Sequence, residues 1–213
     1  MAEPILFGYW RSSAAYRVRI AANVKGISYA AAFVHLRRGE QRGAANLARN
    51  PAGLVPTWSE DDFQLTQSLA ILEYLDETNP RPPLLPSTPR ARALAREIAL
   101  VVVCDIHPVG NLRVLEKLTT DFGAEATQRA AWNRHWIGLG FAAIEARLAQ
   151  TAGAHAIGDQ ITLADVCLVP QVYNARRFEL DLAAYPTIER VDAVARALVP
   201  FQQASPEAQF DAE

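Results

Sequence analysis

The sequence predicts a small α/β domain of about 80 residues followed by an all-helical domain of about 125. Three observations carry that division. Residues 4–78 alternate between short apolar runs and helical spacings, in the order β-α-β-α-β-β-α. The stretch 'NPRPPLLPSTP' then places Pro80, Pro82, Pro83, Pro86 and Pro89 close together. Proline lacks an amide donor and clashes inside helices, so this stretch reads as an inter-domain linker. Beyond it every periodic segment is helical.

The elements follow in chain order. 'PILFGY', residues 4–9, reads as a buried strand. A helix over 14–25 puts Tyr16, Ile20, Ala21 and Val24 on one face, with Gly26 as its stop. 'ISYAAAFVHL' alternates as a strand, with Tyr29, Ala31 and Phe33 on one side. A polar, Gly-rich segment holds a short helix around 44–49. 'VPTWSEDDFQLTQ' gives two short strands around a turn at Glu60-Asp61-Asp62. Leu69, Leu72 and Leu75 then space a helix.

After the linker, helices are predicted over 90–120, 125–151, 162–178 and 187–199, followed by a polar tail. Pro108 is expected to kink the first of these. Trp132, Trp136, Leu139 and Ala143 form the expected apolar face of the second.

Composition narrows the function classes. The chain has 213 residues, 50% of them apolar, and a net charge of −2. A nucleic-acid partner would call for a basic excess, and there is none. Cys104 and Cys167 lie in apolar runs and read as small buried hydrophobes, not as a disulfide or metal framework. No metal site is expected. Residues 1–10 carry no basic run and Arg11 interrupts the apolar stretch, so no signal peptide is expected. No apolar run reaches the ~20 residues of a transmembrane helix. A cytoplasmic location follows as the expectation.

Several local features carry chemistry. Val55-Pro56 enters a short strand, and an X–Pro bond at such a point is sometimes cis. The Val55 backbone would then face outward to pair with an extended peptide-like ligand. An ordinary edge-strand proline is the equal alternative. Thr66-Gln67-Ser68 precedes a helix, with Ser68 as its N-cap, a place that also suits a carboxylate. Ser12-Ser13 opens another helix in the same domain. Strand-to-helix turns of α/β units point to one sheet edge, so both helix starts are expected to face one ligand with two anionic ends.

Thr162 and Asp165 in 'GDQITLADV' have capping-box spacing ahead of an apolar helix, a structural motif worth about 1 kcal/mol or more. Arg11, Arg113, Arg176 and Arg177 are candidate carboxylate ligands, because the guanidinium fork makes two parallel hydrogen bonds. A solvated or salt-bridged surface role is the alternative for each.

Together, 'RSSAAYRVRIAANVKG', 'NPAGLVPTW', 'TQSLAILEYLDE', 'CDIHPVGNLRVLEKL', 'GDQITLADVCLVPQV' and 'ARRFELDLAAYPTI' resemble the cytosolic glutathione transferases. The likeness is strongest to the zeta class, which includes the maleylacetoacetate and maleylpyruvate isomerases. The matching stretches run in order over residues 11–188.

The resemblance implies an α/β plus all-α architecture. A thioredoxin-like N-terminal domain (1–80) would be followed by an all-helical glutathione-transferase C-terminal domain (90–213). It implies a homodimer and glutathione as a cofactor that is not consumed. Gln67 and Ser68 would hold the γ-glutamyl carboxylate. Val55 would pair with the cysteinyl backbone ahead of a cis Pro56. Ser12 and Ser13 would sit beside the sulfur. His107 and Asn111 would add contacts to glutathione. Arg177 would take part in substrate binding, with Arg11, Arg113 and Arg176 as further substrate ligands.

The implied substrate is a maleyl dicarbonyl acid, either maleylacetoacetate or maleylpyruvate, isomerised from cis to trans. One departure stands out. The family's commonest pattern has a cysteine after the two serines, and this chain has Ala14. Two other functions remain open at this point: a transferase that conjugates or dehalogenates small α-halo acids, and a non-catalytic interaction module. A thiol–disulfide oxidoreductase would want Cys-x-x-Cys where this chain reads Ser-Ala-Ala-Tyr.

Overall fold

The computed structural model describes residues 3–213, so the first domain is seen from Glu3 onward. The chain forms two compact units, one running to Leu84 and taking in Ala197–Glu213, the other Leu85–Arg196.

The first unit has the expected element order. It runs β1 (Ile5–Gly8), α1 (Ser13–Lys25), β2 (Ala30–Phe33), α2 (Ala44–Arg49), β3 (Thr57–Glu60), β4 (Phe63–Thr66) and α3 (Ser68–Thr78). The sheet order is β2-β1-β3-β4. β1 and β2 are parallel, so a crossover must join them, and α1 supplies it. β1 is antiparallel to β3, and β3 to β4. Two reversals leave β1 and β4 running the same way. Phe7 and Thr66 both pair with Thr57, so the two strands finish level with one another. The loops into α1 and α3, and the residues just ahead of β3, therefore share one end of the sheet. This is the thioredoxin-like arrangement.

α1 fills the centre of this unit. Ser12 caps it by accepting from Ala15 N–H at 3.2 Å, and left-handed Gly26 closes it by donating to Ala22 and Asn23 carbonyls. The helix is buried on nearly every side, Arg17 and Arg19 included. α3 packs against it through Ile71, Leu72 and Leu75. Lys25 Nζ bonds Asp76 Oδ1 at 2.7 Å and donates to the carbonyls of Asn79 and Pro82. Asp76 Oδ1 also accepts from Leu84 N–H. The first half of the proline-rich stretch is thus tied to the α/β unit by a buried ion pair.

The second unit contains α4 (Pro89–Leu100), α5 (Leu112–Phe122), α6 (Ala126–Thr151), α7 (Leu163–Arg177) and α8 (Pro186–Arg196). α7 is its buried centre, with Leu163–Val172 all inaccessible or nearly so. Asp165 Oδ2 accepts from Thr162 N–H and Oγ–H, and Oδ1 from Ala156 N–H, all at 2.8–2.9 Å. The capping box is formed as expected.

Four expectations are corrected. The helix foreseen over 90–120 is not one kinked helix. α4 gives way to a π-helical turn at Val101–Ile106, and α5 restarts behind the cap Asn111. Packing against α6 imposes the break: a Cβ at Gly140 would collide with Ile106, one at Gly110 would collide with Asn133, and Trp132 Nε1 donates to Val109 carbonyl at 2.9 Å. The buried face of α6 is also displaced by one residue, to Asn133, Ile137, Gly140, Phe141, Ile144 and Leu148. Leu139, expected inside, is 56% exposed. The same spacing fits both sets, and the tryptophans favoured the wrong one. Cys104 is exposed on the π-helical turn, while Cys167 is buried.

Finally, the polar tail folds into the first unit. α9 (Val199–Ala204) buries Phe201 and Ala204 against α1. Arg19 Nε donates to Ala204 carbonyl at 2.9 Å and Asp211 Oδ2 accepts from Trp10 N–H at 3.0 Å. Residues 197–213 thus join the α/β unit, where the sequence reading placed them in a helical domain over 90–213.

Candidate active site

The shared sheet end of the first unit gathers Ser12, Ser13, Val55, Pro56, Gln67 and Ser68. Ser12 is the cap of α1 and Ser13 its first residue. Because Ser12 Oγ accepts from Ala15 N–H, its own proton is left to donate elsewhere.

Ser68 is not the cap foreseen for α3 but its first helical residue; Gln67 occupies the cap position. Gln67 has φ 68° and ψ 112°, a region that residues other than glycine rarely adopt. Such strain persists where the surroundings hold it, and it gathers at ligand clamps. Ser68 Oγ accepts from Arg17 Nη1 at 3.1 Å, in buried surroundings. A guanidinium only donates, so the Ser68 proton must also seek an acceptor. Two hydroxyls at two helix starts are thus in the same state, each with an acceptor site filled by the protein and a donor to spare. Helix N-termini add partial positive charge at the same place.

Val55 lies two residues ahead of β3 and outside its ladder. The Leu54 carbonyl before it is held by Asn46 and Asn50 Nδ2, at 3.3 and 2.9 Å. The Val55–Pro56 bond is cis, as is Arg81–Pro82, which the sequence reading did not single out. Arg11 lies over the Trp10 ring, 5.1 Å from its centroid.

The candidates of the second unit lie on two segments, the turn before α5 and the end of α7. His107 follows the π-helical turn, and its N–H donates to the Val102 carbonyl at 2.9 Å. Asn111 Oδ1 caps α5 by accepting from Arg113 N–H at 3.2 Å, which leaves its amide N–H groups for other partners. One stretch of α6 reaches both this loop and the end of α7. Trp132 and Asn133 meet Val109 and Gly110, and Arg134 Nη1 donates to the Phe178 carbonyl at 3.2 Å.

The two arginines are both exposed and differ in their partners. Arg176 Nη1 pairs at 2.7 Å with Asp192 Oδ2, a fully buried carboxylate that also takes Arg196 Nε at 2.8 Å. Arg177 is exposed, donates to Asn174 Oδ1 at 3.1 Å and lies over Phe178, 4.7 Å from its ring centroid.

Two buried arginines were passed over in the sequence. Arg17 is 1% exposed and Arg19 4%. Burial lowers the Arg19 pKa to about 10, partly countered by Tyr29, Tyr16 and Asp211. Its fork binds the carbonyls of Tyr9, Trp10 and Ala204, so it staples the C-terminal segment in place. A signal for Arg17 was present: positions 17, 20, 21 and 24 share one helix face, and three of them are apolar.

The glutathione S-transferase N-terminal domain family matches residues 2–77. A probable maleylacetoacetate isomerase of Vibrio cholerae is 50% identical over 100% of both chains. A maleylpyruvate isomerase of Ralstonia sp is 46% identical over 97% of this chain and 98% of the relative. A holo maleyl pyruvate isomerase, described as a zeta-class bacterial glutathione S-transferase, superposes with a TM-score of 0.97 at 45% identity, covering 98% of this chain and 100% of the other. A maleylacetoacetate isomerase from Methylobacterium extorquens AM1, solved with malonate and glutathione bound, gives 0.95 at 42% identity, covering 98% and 99%.

Proposed function

The chain belongs to the zeta-class glutathione transferase family of maleylacetoacetate and maleylpyruvate isomerases, and on that premise we propose that it is a glutathione-dependent cis–trans isomerase of a maleyl dicarbonyl acid. One observation carries the reading. Ser12 and Ser68 stand at two helix starts on one sheet end, each with an acceptor site filled by a protein N–H and a proton left to give. A peptide with a carboxylate at one point and a thiolate at another is what such a pair of donors fits.

In this reading Gln67 and Ser68 hold the γ-glutamyl carboxylate and the Val55 backbone pairs with the cysteinyl unit beside Pro56. Ser12 and Ser13 face the sulfur, and His107 and Asn111 add further contacts. When bound, glutathione supplies the sulfur nucleophile for reversible addition to the double bond. The Ser12 hydroxyl and the α1 N-terminus favour ionisation of that thiol, and each unit of lowered pKa is worth ~1.4 kcal/mol. Arg177 holds a substrate carboxylate with its planar fork, helped by Arg11 and Arg113. It also steadies negative charge that develops on the substrate oxygen. Arg176 is a further substrate ligand, held by its ion pair with buried Asp192. With Ala14 after the serines, the protein brings no thiol of its own to that turn.

Among the described residues no helix is long and apolar enough to cross a membrane. A cytoplasmic homodimer completes the reading, and sedimentation of the purified protein tests the dimer.

The function is tested by following maleylacetoacetate and maleylpyruvate side by side, with and without glutathione. Loss of the cis isomer only when glutathione is present is the expected result. Chloride release from a dichlorinated acid, with neither maleyl substrate turned over, would assign a dehalogenating transferase instead.

A further inference from the structure

Arg17 is an expensive residue to keep where it stands. Its side chain lies on the apolar face of α1 at 1% exposure, between α1 and α3. A buried charge is tolerated only when hydrogen-bonded, and its loss as a donor leaves a partner changed. Its Nη1 reaches Ser68 Oγ, 51 residues away in sequence, at the first turn of α3. The direction of that bond is fixed by chemistry, since arginine has five N–H donors and no acceptor. Whatever else the guanidinium meets, it takes up an acceptor site of Ser68 and so turns the Ser68 proton away from α1. A hydroxyl that accepts from a cation is also the stronger donor, because hydrogen bonds in a chain polarise one another.

We propose that Arg17 is a positioning residue for ligand recognition: it orients and polarises the Ser68 hydroxyl so that the proton is presented to the γ-glutamyl α-carboxylate of glutathione. This rests on the glutathione reading above. Arg17 makes no contact with the peptide itself. Its effect passes through one hydroxyl and concerns one carboxylate, so it discriminates between ligands that differ only there.

The test is calorimetric titration of the full chain with two ligands: glutathione, and the analogue whose γ-glutamyl α-carboxylate is a carboxamide. The wild-type protein prefers glutathione by roughly tenfold or more, the scale of one hydrogen bond to a charged group. In Arg17→Gln and Arg17→Lys that preference falls several-fold, while affinity for the carboxamide hardly changes. Equal weakening toward both ligands, or an unchanged preference, overturns the proposal and leaves the glutathione reading standing. Failure of the wild-type protein to bind glutathione overturns both. If neither Arg17 variant folds, Ser68→Ala decides, because it keeps the guanidinium and removes only the hydroxyl. Collapse of its preference for the carboxylate is the expected result; a preference that survives in Ser68→Ala overturns the relay.

Discussion

Arg17 Nη1 and Ser68 Oγ meet at 3.1 Å across the packed faces of α1 and α3. The bond joins the second turn of α1 to the first residue of α3. It does so at the end of the sheet where β1 and β4 finish in register with Thr57. Ser12 and Ser68 are thereby held on one framework, which lets each of the following substitutions be read separately.

Ser12→Ala removes both the α1 cap and the donor assigned to the sulfur. The cap alone is worth about 1 kcal/mol of stability. Turnover of the maleyl substrate should fall by roughly tenfold or more, the effect of about one unit of thiol pKa or one lost donor. Glutathione affinity should fall much less. Steady-state kinetics beside calorimetric titration separates the two; equal losses would make Ser12 a peptide-positioning group only.

Gln67→Gly relaxes a backbone that now sits at φ 68°. Releasing that strain should raise stability by about 1 kcal/mol, offset in part by greater freedom of the unfolded chain. Glutathione affinity should drop, because the amide side chain is gone. Thermal unfolding and titration would move in opposite directions. A variant weakened in both would show that the Gln67 side chain supports the fold.

Arg177→Ala and Arg176→Ala should part company. Arg177 is exposed, so its loss should leave the melting temperature nearly unchanged. It should raise the half-saturation concentration of the diacid about tenfold, the worth of one charged hydrogen-bonding partner. Arg176 neutralises buried Asp192 together with Arg196. Its loss should lower stability by about 1–3 kcal/mol. Unchanged kinetics in Arg177→Ala would remove that residue from the site.

Asp165→Ala strips three hydrogen bonds at 2.8–2.9 Å from a carboxylate with no exposure. It leaves the Ala156 N–H buried without that partner. The expected cost is about 3 kcal/mol, and at roughly 2–4 °C per kcal/mol for a chain of this size the melting temperature falls by several degrees. Differential scanning calorimetry checks it. A melting temperature within a degree of the parent would contradict the buried capping box.

Much of this arrangement is legible in the sequence. The period-2 runs and the helix between them give the β-α-β-α-β-β-α order, and five clustered prolines mark where the chain leaves α3. Ser12 and the Thr162–Asp165 box declare themselves because capping depends on neighbours three residues away.

What escapes depends on packing between distant residues. Ser68 reads as a cap until Arg17, on another helix, is seen holding it. The π-helical turn at 101–106 packs against Gly140 of α6, some thirty residues on, which local propensity cannot register. The tail over 197–213 reads only as polar because its anchors are Arg19 and Trp10, near the other end of the chain.

The most direct measurement of the central claim is stoichiometric. The wild-type protein is given a maleyl substrate in large excess over glutathione, and both substrate isomers and free thiol are followed to completion. The account predicts full conversion to the trans product with the glutathione concentration unchanged at the end. Glutathione consumed mole for mole with substrate, or conversion at the same rate without it, would contradict the account.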